Sequence, residues 1–143
     1  MGTSRSGSAA DITMLDYRAL VVDDYLPFQE MLAASLGRLA QIKEIDYADS
    51  GIAAIEKAEA KKYDLIFLDV MMPPGIDGYE TCFRLRANPA YNKTPIIMVS
   101  GMGSPFDEAK GIISGCTTYI TKPIQHEPFL ELCKIILKTI NLL

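Results

Sequence analysis

Asp64-Leu65-Ile66-Phe67-Leu68-Asp69 runs straight into Val70-Met71-Met72-Pro73-Pro74-Gly75-Ile76-Asp77-Gly78. Four apolar residues closed by an acid, then prolines and a glycine, describe a buried strand that ends in a polar loop. The same pattern recurs along the chain. Ala19-Leu20-Val21-Val22 ends in Asp23-Asp24, Ile96-Ile97-Met98-Val99 ends in Ser100, and Thr117-Thr118-Tyr119-Ile120-Thr121 ends in Lys122-Pro123. Continuous apolar runs belong to strands covered on both faces, the condition of a parallel sheet. In such a sheet the carboxyl ends of the strands share one edge, and that edge binds ligands. Three carboxylates, one hydroxyl and one ammonium are thereby expected at a single edge.

The intervening segments read as helices. Pro27 suits a first helical turn, with Phe28, Met31, Leu32, Ser35, Leu36 and Leu39 as the buried stripe. A weak strand follows at residues 44–48. Ser50 is the expected N-cap of a helix over residues 51–61, with Ile52 and Ile55 facing inward. Further helices are expected over residues 78–87, stopped by Asn88-Pro89, over 105–114, and over 127–141; strands are expected at 95–99 and 117–121. Alternating strands and helices predict an α/β doubly wound fold, with right-handed crossovers placing helices on both faces. Residues 1–16, rich in Gly, Ser, Thr and Ala, read as a flexible tail, and residues 17–143 as one domain.

Composition narrows the function. A chain of 143 residues buries one respectable core without staples. A net charge of -4 argues against a nucleic-acid surface, which carries a basic face. Cys82, Cys116 and Cys133 form no CxxC pair and the chain has one histidine, His126, so no zinc cluster is expected. Free buried thiols and a cytoplasmic setting follow, since no stretch approaches a membrane span and the N-terminus lacks the order of a secretory signal.

The acidic edge carries the chemistry. Mg²⁺ takes hard oxygen ligands, usually one or two carboxylates with waters and phosphate oxygens. An acidic pair after one buried strand, with a lone acid after another, supplies such a set. Crowded carboxylates hold protons more tightly, and a bound cation reverses that cost. Lys122 would offer a point charge to a phosphoryl oxygen, and Ser100 a hydroxyl donor; alone, Lys122 reads better as a solvated lysine, and Ser100 equally as a turn residue.

Together these positions resemble the receiver domain of two-component response regulators, over about residues 17–143. The likeness implies a flavodoxin-like, five-stranded parallel sheet in the order 2-1-3-4-5. Val-Val-Asp-Asp places the family's metal-binding acids at Asp23 and Asp24, and Phe-Leu-Asp-Val-Met-Met-Pro places its phosphoacceptor at Asp69. Ser100 and Tyr119 fall on the family's two switch positions, with Lys122 three residues after the tyrosine. The resemblance further implies Mg²⁺ held by Asp24, Asp69 and the Met71 backbone carbonyl, with Asp23 acting through water. The expected partners are a sensor histidine kinase or phosphotransfer protein, and a downstream protein or second copy meeting the last two helices and last strand. A shorter likeness, Phe106-Asp107-Glu108-Ala109-Lys110-Gly111 with Gly78-Tyr79-Glu80-Thr81-Cys82, points to stand-alone receivers of type IV pilus chemosensory systems.

The chain departs from the family pattern twice. Pro74-Gly75 adds one residue between Met-Pro and Asp-Gly, and Gly101 stands where a small residue, commonly Ala, follows the switch hydroxyl. The expectation is a phosphoacceptor switch, not an enzyme, acting without a DNA-binding output in this chain. The apolar residues Leu130, Ile135, Leu137 and Leu142, beyond the last helix's own stripe, suggest an interface. Three other readings stay open. A docking module independent of phosphorylation needs none of this chemistry. An aspartate-nucleophile phosphohydrolase would need a proton-donating acid at Met71. A flavodoxin-like mononucleotide binder would need a phosphate-cradling loop where Asp23-Asp24 stand.

Overall fold

The structure, a computed structural model, describes residues 16–140; the expected tail, apart from Asp16, and Leu142 lie outside them. Five strands alternate with five helices: β1 (Tyr17–Val22), α1 (Leu26–Leu36), β2 (Ile42–Ala48), α2 (Gly51–Ala60), β3 (Leu65–Leu68), α3 (Gly78–Ala87), β4 (Ile96–Ser100), α4 (Pro105–Ser114), β5 (Thr118–Thr121) and α5 (His126–Ile140). A short 3₁₀ turn, Pro89–Tyr91, lies between α3 and β4. All pairings are parallel, in the order β2-β1-β3-β4-β5. This is the doubly wound flavodoxin-like fold that the apolar runs and the family resemblance together predict.

Strand alternation divides the interior into two layers. Leu20, Val22, Ile66, Leu68 and Met98 face α2 and α3, packing on Ala54, Ala58, Cys82 and Leu85. Ala19, Val21, Phe67, Ile97 and Val99 face the other way, onto Leu32 and Leu36 of α1 and Phe129, Cys133, Ile136 and Leu137 of α5. The Val, Leu, Ile, Phe and Met side chains among them stabilise the fold by about 1.5–3 kcal/mol each when fully buried. The three cysteines are buried free thiols within these layers.

Local signals set the helix ends. Ser50 accepts the Ala53 amide at 3.1 Å, Asp77 accepts the Glu80 amide at 2.9 Å, and Ser104 and Asp107 form a reciprocal capping box. Gly115 closes α4 with φ of 110°, a left-handed turn that a side chain would strain. Peptides Pro73–Pro74 and Lys122–Pro123 are cis.

Several inward-facing residues differ from the sequence-based expectation. Met31 is 40% exposed, and Gln29 takes the inward place on α1 because its amide finds a backbone acceptor there. Ile52 is exposed; Ala54 and Ala58 face the sheet, small enough for α2 to sit close, with Ile55 only partly buried. On α5, Leu130 and Leu137 are buried in the core, so they widen its packing stripe and form no interface; Ile135 alone of that described group is exposed. No helix among the described residues is long and apolar enough to cross a membrane.

Candidate functional site

Register explains why the acids meet. Val22 pairs with Leu68 across β1 and β3, so Asp23 and Asp69 leave adjacent strands at the same level. The Asp69 amide donates to Val22 O at 2.9 Å and the Asp23 amide to Ala48 O at 3.0 Å, which continues the ladder one step past each strand. Carboxylate oxygens of Asp23, Asp24 and Asp69 lie within 4.8 Å of one another. Asp23 and Asp69 are buried, at 1% and 7% exposure, while Asp24 faces solvent.

Ser100 pairs with Thr121, so Lys122 follows β5 at the same edge, and its amide donates to Ser100 O at 2.8 Å. Its ammonium donates to Asp23 Oδ2 at 2.9 Å and stands 3.8 Å from Asp69 Oδ1. Asp69 Oδ1 also accepts the Val70 amide at 2.8 Å. Burial pushes the Asp69 carboxyl up to about 6, and the Asp23 charge adds to that. Lys122 and the Val70 amide pull the other way without cancelling it. Two buried carboxylates and an exposed third, with one ammonium among them, form a hard-oxygen donor set of the kind Mg²⁺ takes. The residues fit that ion.

The family profile described as the response regulator receiver domain matches residues 19–134. The chain belongs to the response regulator receiver family. Protein PilG of Pseudomonas aeruginosa is 34% identical over 117 residues, covering 82% of this chain and 84% of PilG. The transcriptional regulatory protein ResD of Bacillus subtilis is 37% identical over 121 residues, 85% of this chain but 48% of ResD. The receiver therefore spans most of one such relative and about half of the other. Among solved structures, the chemotaxis protein CheY4 of Vibrio cholerae superposes with a TM-score of 0.77 at 30% identity, over 85% of this chain and 98% of that one. A response regulator from Chloroflexus aurantiacus gives 0.78 at 32% identity, over 86% and 98%.

The receiver's other sequence-predicted positions lie around this centre. Ser100 is buried, and its Oγ accepts the Met102 amide at 3.2 Å. The Tyr119 hydroxyl donates to the carbonyl of the same Met102, and the ring lies over Gly111 of α4. Tyr119 is thus already partly buried. The Met102 backbone, through its N–H and its carbonyl, links the two positions expected to switch. Met71, two residues after Asp69, is half exposed.

Sequence reading missed two contributors to this receiver's edge. Gln29 donates its side-chain amide to Asp23 O, tying the first turn of α1 to the acidic strand end. Phe28 lies with its ring centroid 4.0 Å from the Lys122 ammonium. Both sit on an unremarkable helical face, and no local signal distinguishes them from packing residues.

Proposed function

We propose that Asp69 accepts a phosphoryl group from a phosphohistidine on a sensor kinase or phosphotransfer protein, and that this switches binding to a downstream partner. The observation that carries the reading is the placement of Asp69: a buried carboxylate crowded by Asp23 and within 3.8 Å of an ammonium, at the carboxyl edge of a parallel sheet. Near neutral pH a carboxyl held near 6 is largely ionised, so its oxygen is available for attack. The Asp69 oxygen bonds to phosphorus as the phosphorus–nitrogen bond breaks, and the electron pair leaves with the imidazole. Catalysis of such transfers is mostly positioning and charge stabilisation.

Asp23, Asp24, Asp69 and the Met71 carbonyl would hold Mg²⁺, which when bound neutralises phosphoryl oxygens. Lys122 supplies a further positive charge to those oxygens. Turning the Ser100 hydroxyl toward them gives up the Met102 amide, and the Met102 carbonyl holds Tyr119. The loop between β4 and α4 is therefore the element that the modification resets, altering the surface of α4, β5 and α5. Residues 17–143 serve as the phosphoacceptor domain, acting in the cytosol. The Phe106–Gly111 likeness favours a chemosensory pathway as the setting.

Incubation with Mg²⁺ and acetyl phosphate, followed by intact-mass measurement, tests the assignment. Wild type gains about 80 Da and Asp69→Asn does not. Equal gain by both variants removes Asp69 from the role.

A further inference from the structure

The Lys122 ammonium meets two partners on one turn of chain. Asp23 Oδ2 accepts from it at 2.9 Å, and the Phe28 ring centroid lies 4.0 Å away. The lysine and the turn are far apart in sequence: Lys122 follows β5, and the turn runs from the end of β1 into the start of α1.

That turn is rigidly built. The Tyr25 amide donates to Asp23 Oδ1 at 2.9 Å, the Phe28 amide to Tyr25 O at 3.1 Å, and the Gln29 side chain to Asp23 O. Pro27 fixes its own φ within the first helical turn. The residue that binds the ammonium directly is thereby tied, through Tyr25 and Gln29, to the turn that carries the ring. Lys122 retains 24% side-chain exposure, so its flexible four-carbon stem leaves the ammonium a route toward solvent that the Asp23 carboxylate opposes and the ring narrows further. An aromatic face attracts an ammonium through its quadrupole, and an aliphatic residue of similar bulk does not.

We propose that Phe28 is a positioning residue for Lys122, its ring keeping the ammonium within reach of Asp69 before phosphoryl transfer. The proposal rests on Asp69 being the phosphoacceptor. The ring spends no hydrogen-bonding capacity of the lysine, so all three N–H groups stay available to Asp23 and an incoming phosphoryl oxygen. A pre-placed charge spares the reorganisation that a mobile one requires at the moment of transfer.

The test compares Phe28→Leu and Phe28→Tyr, each in wild type and in Lys122→Met, by phosphorylation rate with acetyl phosphate and by proton NMR. In wild type the Lys122 ε-methylene protons are shielded by the ring current; they lose that shielding in Phe28→Leu and keep it in Phe28→Tyr. Phe28→Leu slows phosphorylation by about three- to tenfold, Phe28→Tyr stays close to wild type, and Phe28→Leu adds no further loss to Lys122→Met. Equal slowing in both backgrounds makes Phe28 a packing residue and overturns the proposal. An unchanged rate in Phe28→Leu overturns it as well. If wild type takes no phosphate at all, the Asp69 reading fails, whereas unshielded ε protons in wild type refute the Phe28 contact by itself.

Discussion

Gly78 lies so close to Asp69 that a Cβ built on it would stand 2.2 Å from the Asp69 carbonyl oxygen and 2.8 Å from the Val70 Cα. The Gly78 amide donates to Val70 O at 2.8 Å. The first turn of α3 is therefore pressed directly onto the backbone that carries Asp69.

Gly78→Ala should force that backbone apart. The clash is with main chain, which cannot rotate away, so a loss of about 1–3 kcal/mol is expected, with weakened Mg²⁺ binding. Gly101→Ala is the matched control, because nothing lies within 4 Å of a Cβ there and its φ is not left-handed. It should be neutral or slightly stabilising through the unfolded chain. Urea unfolding with a Mg²⁺ titration measures both, and equal stability of the two variants contradicts the close approach.

Repulsion at the acidic edge should show in the pH dependence of the metal-free protein. Asp69 is raised from 3.8 to about 6 by burial first and Asp23 second. A carboxyl with a raised folded-state pKa contributes stability that is fully present below the unfolded value and is lost as pH rises through the folded one. In EDTA, wild type should therefore lose up to about 3 kcal/mol between pH 4 and pH 7.5 at this one group. Asp69→Asn should lack that component and be more stable than wild type at pH 7.5, with Mg²⁺ narrowing the gap by stabilising wild type alone. Denaturant midpoints at the two pH values decide it; a less stable Asp69→Asn at pH 7.5 sinks the idea.

Arg86 should matter for stability at a distance from Asp69. Its guanidinium donates to Gly115 O at 2.8 Å, Tyr91 O at 2.6 Å, Thr94 O at 2.6 Å and Thr117 Oγ1 at 3.2 Å. One side chain thus ties α3 to the 3₁₀ turn and to the connection between α4 and β5. Burial lowers its proton affinity, but a guanidinium remains charged. Lysine has three donors and no planar fork, so Arg86→Lys leaves acceptors unpaired at about 1–3 kcal/mol. Amide exchange should speed up at residues 115–117, and unchanged protection there would count against the hub.

The phosphoryl group should be long-lived. By family resemblance, residues two after Asp69 and two after Ser100 border the path of the hydrolytic water. Met71 and Met102 stand there, the first half exposed and the second partly buried. A thioether orients water poorly. A lifetime of minutes or longer is expected, shortened in Met71→Asn with Met102→Glu. Decay of wild type within seconds at neutral pH with Mg²⁺ rules this out.

Much of this protein was legible before any coordinates. Apolar runs closed by Asp23, Asp69, Ser100 and Lys122 imply buried parallel strands whose ends share an edge, and the edge is there. Helix α3 spans Gly78–Ala87 and α4 spans Pro105–Ser114, the expected bounds. Caps, prolines and a left-handed glycine act within a few residues, so linear sequence carries them completely.

Orientation and long-range contact were not legible. Periodicity nominated Met31 and Ile52 as inward, but Gln29 and Ala54 face the sheet. The helix rotation depends on what the partner surface accepts: an amide beside the Asp23 carbonyl, and a small side chain where α2 lies close. Phe28 against Lys122, Gly78 against Asp69, and Arg86 across three segments join residues whose neighbours in sequence say nothing of one another. Sequence by itself determined the strand ends and therefore the ingredients of the site, because an apolar run and the polar residue that stops a strand are local properties. Only the tertiary structure decided the distances among those ingredients and the residues that hold them, because register and packing settle across the whole sheet at once.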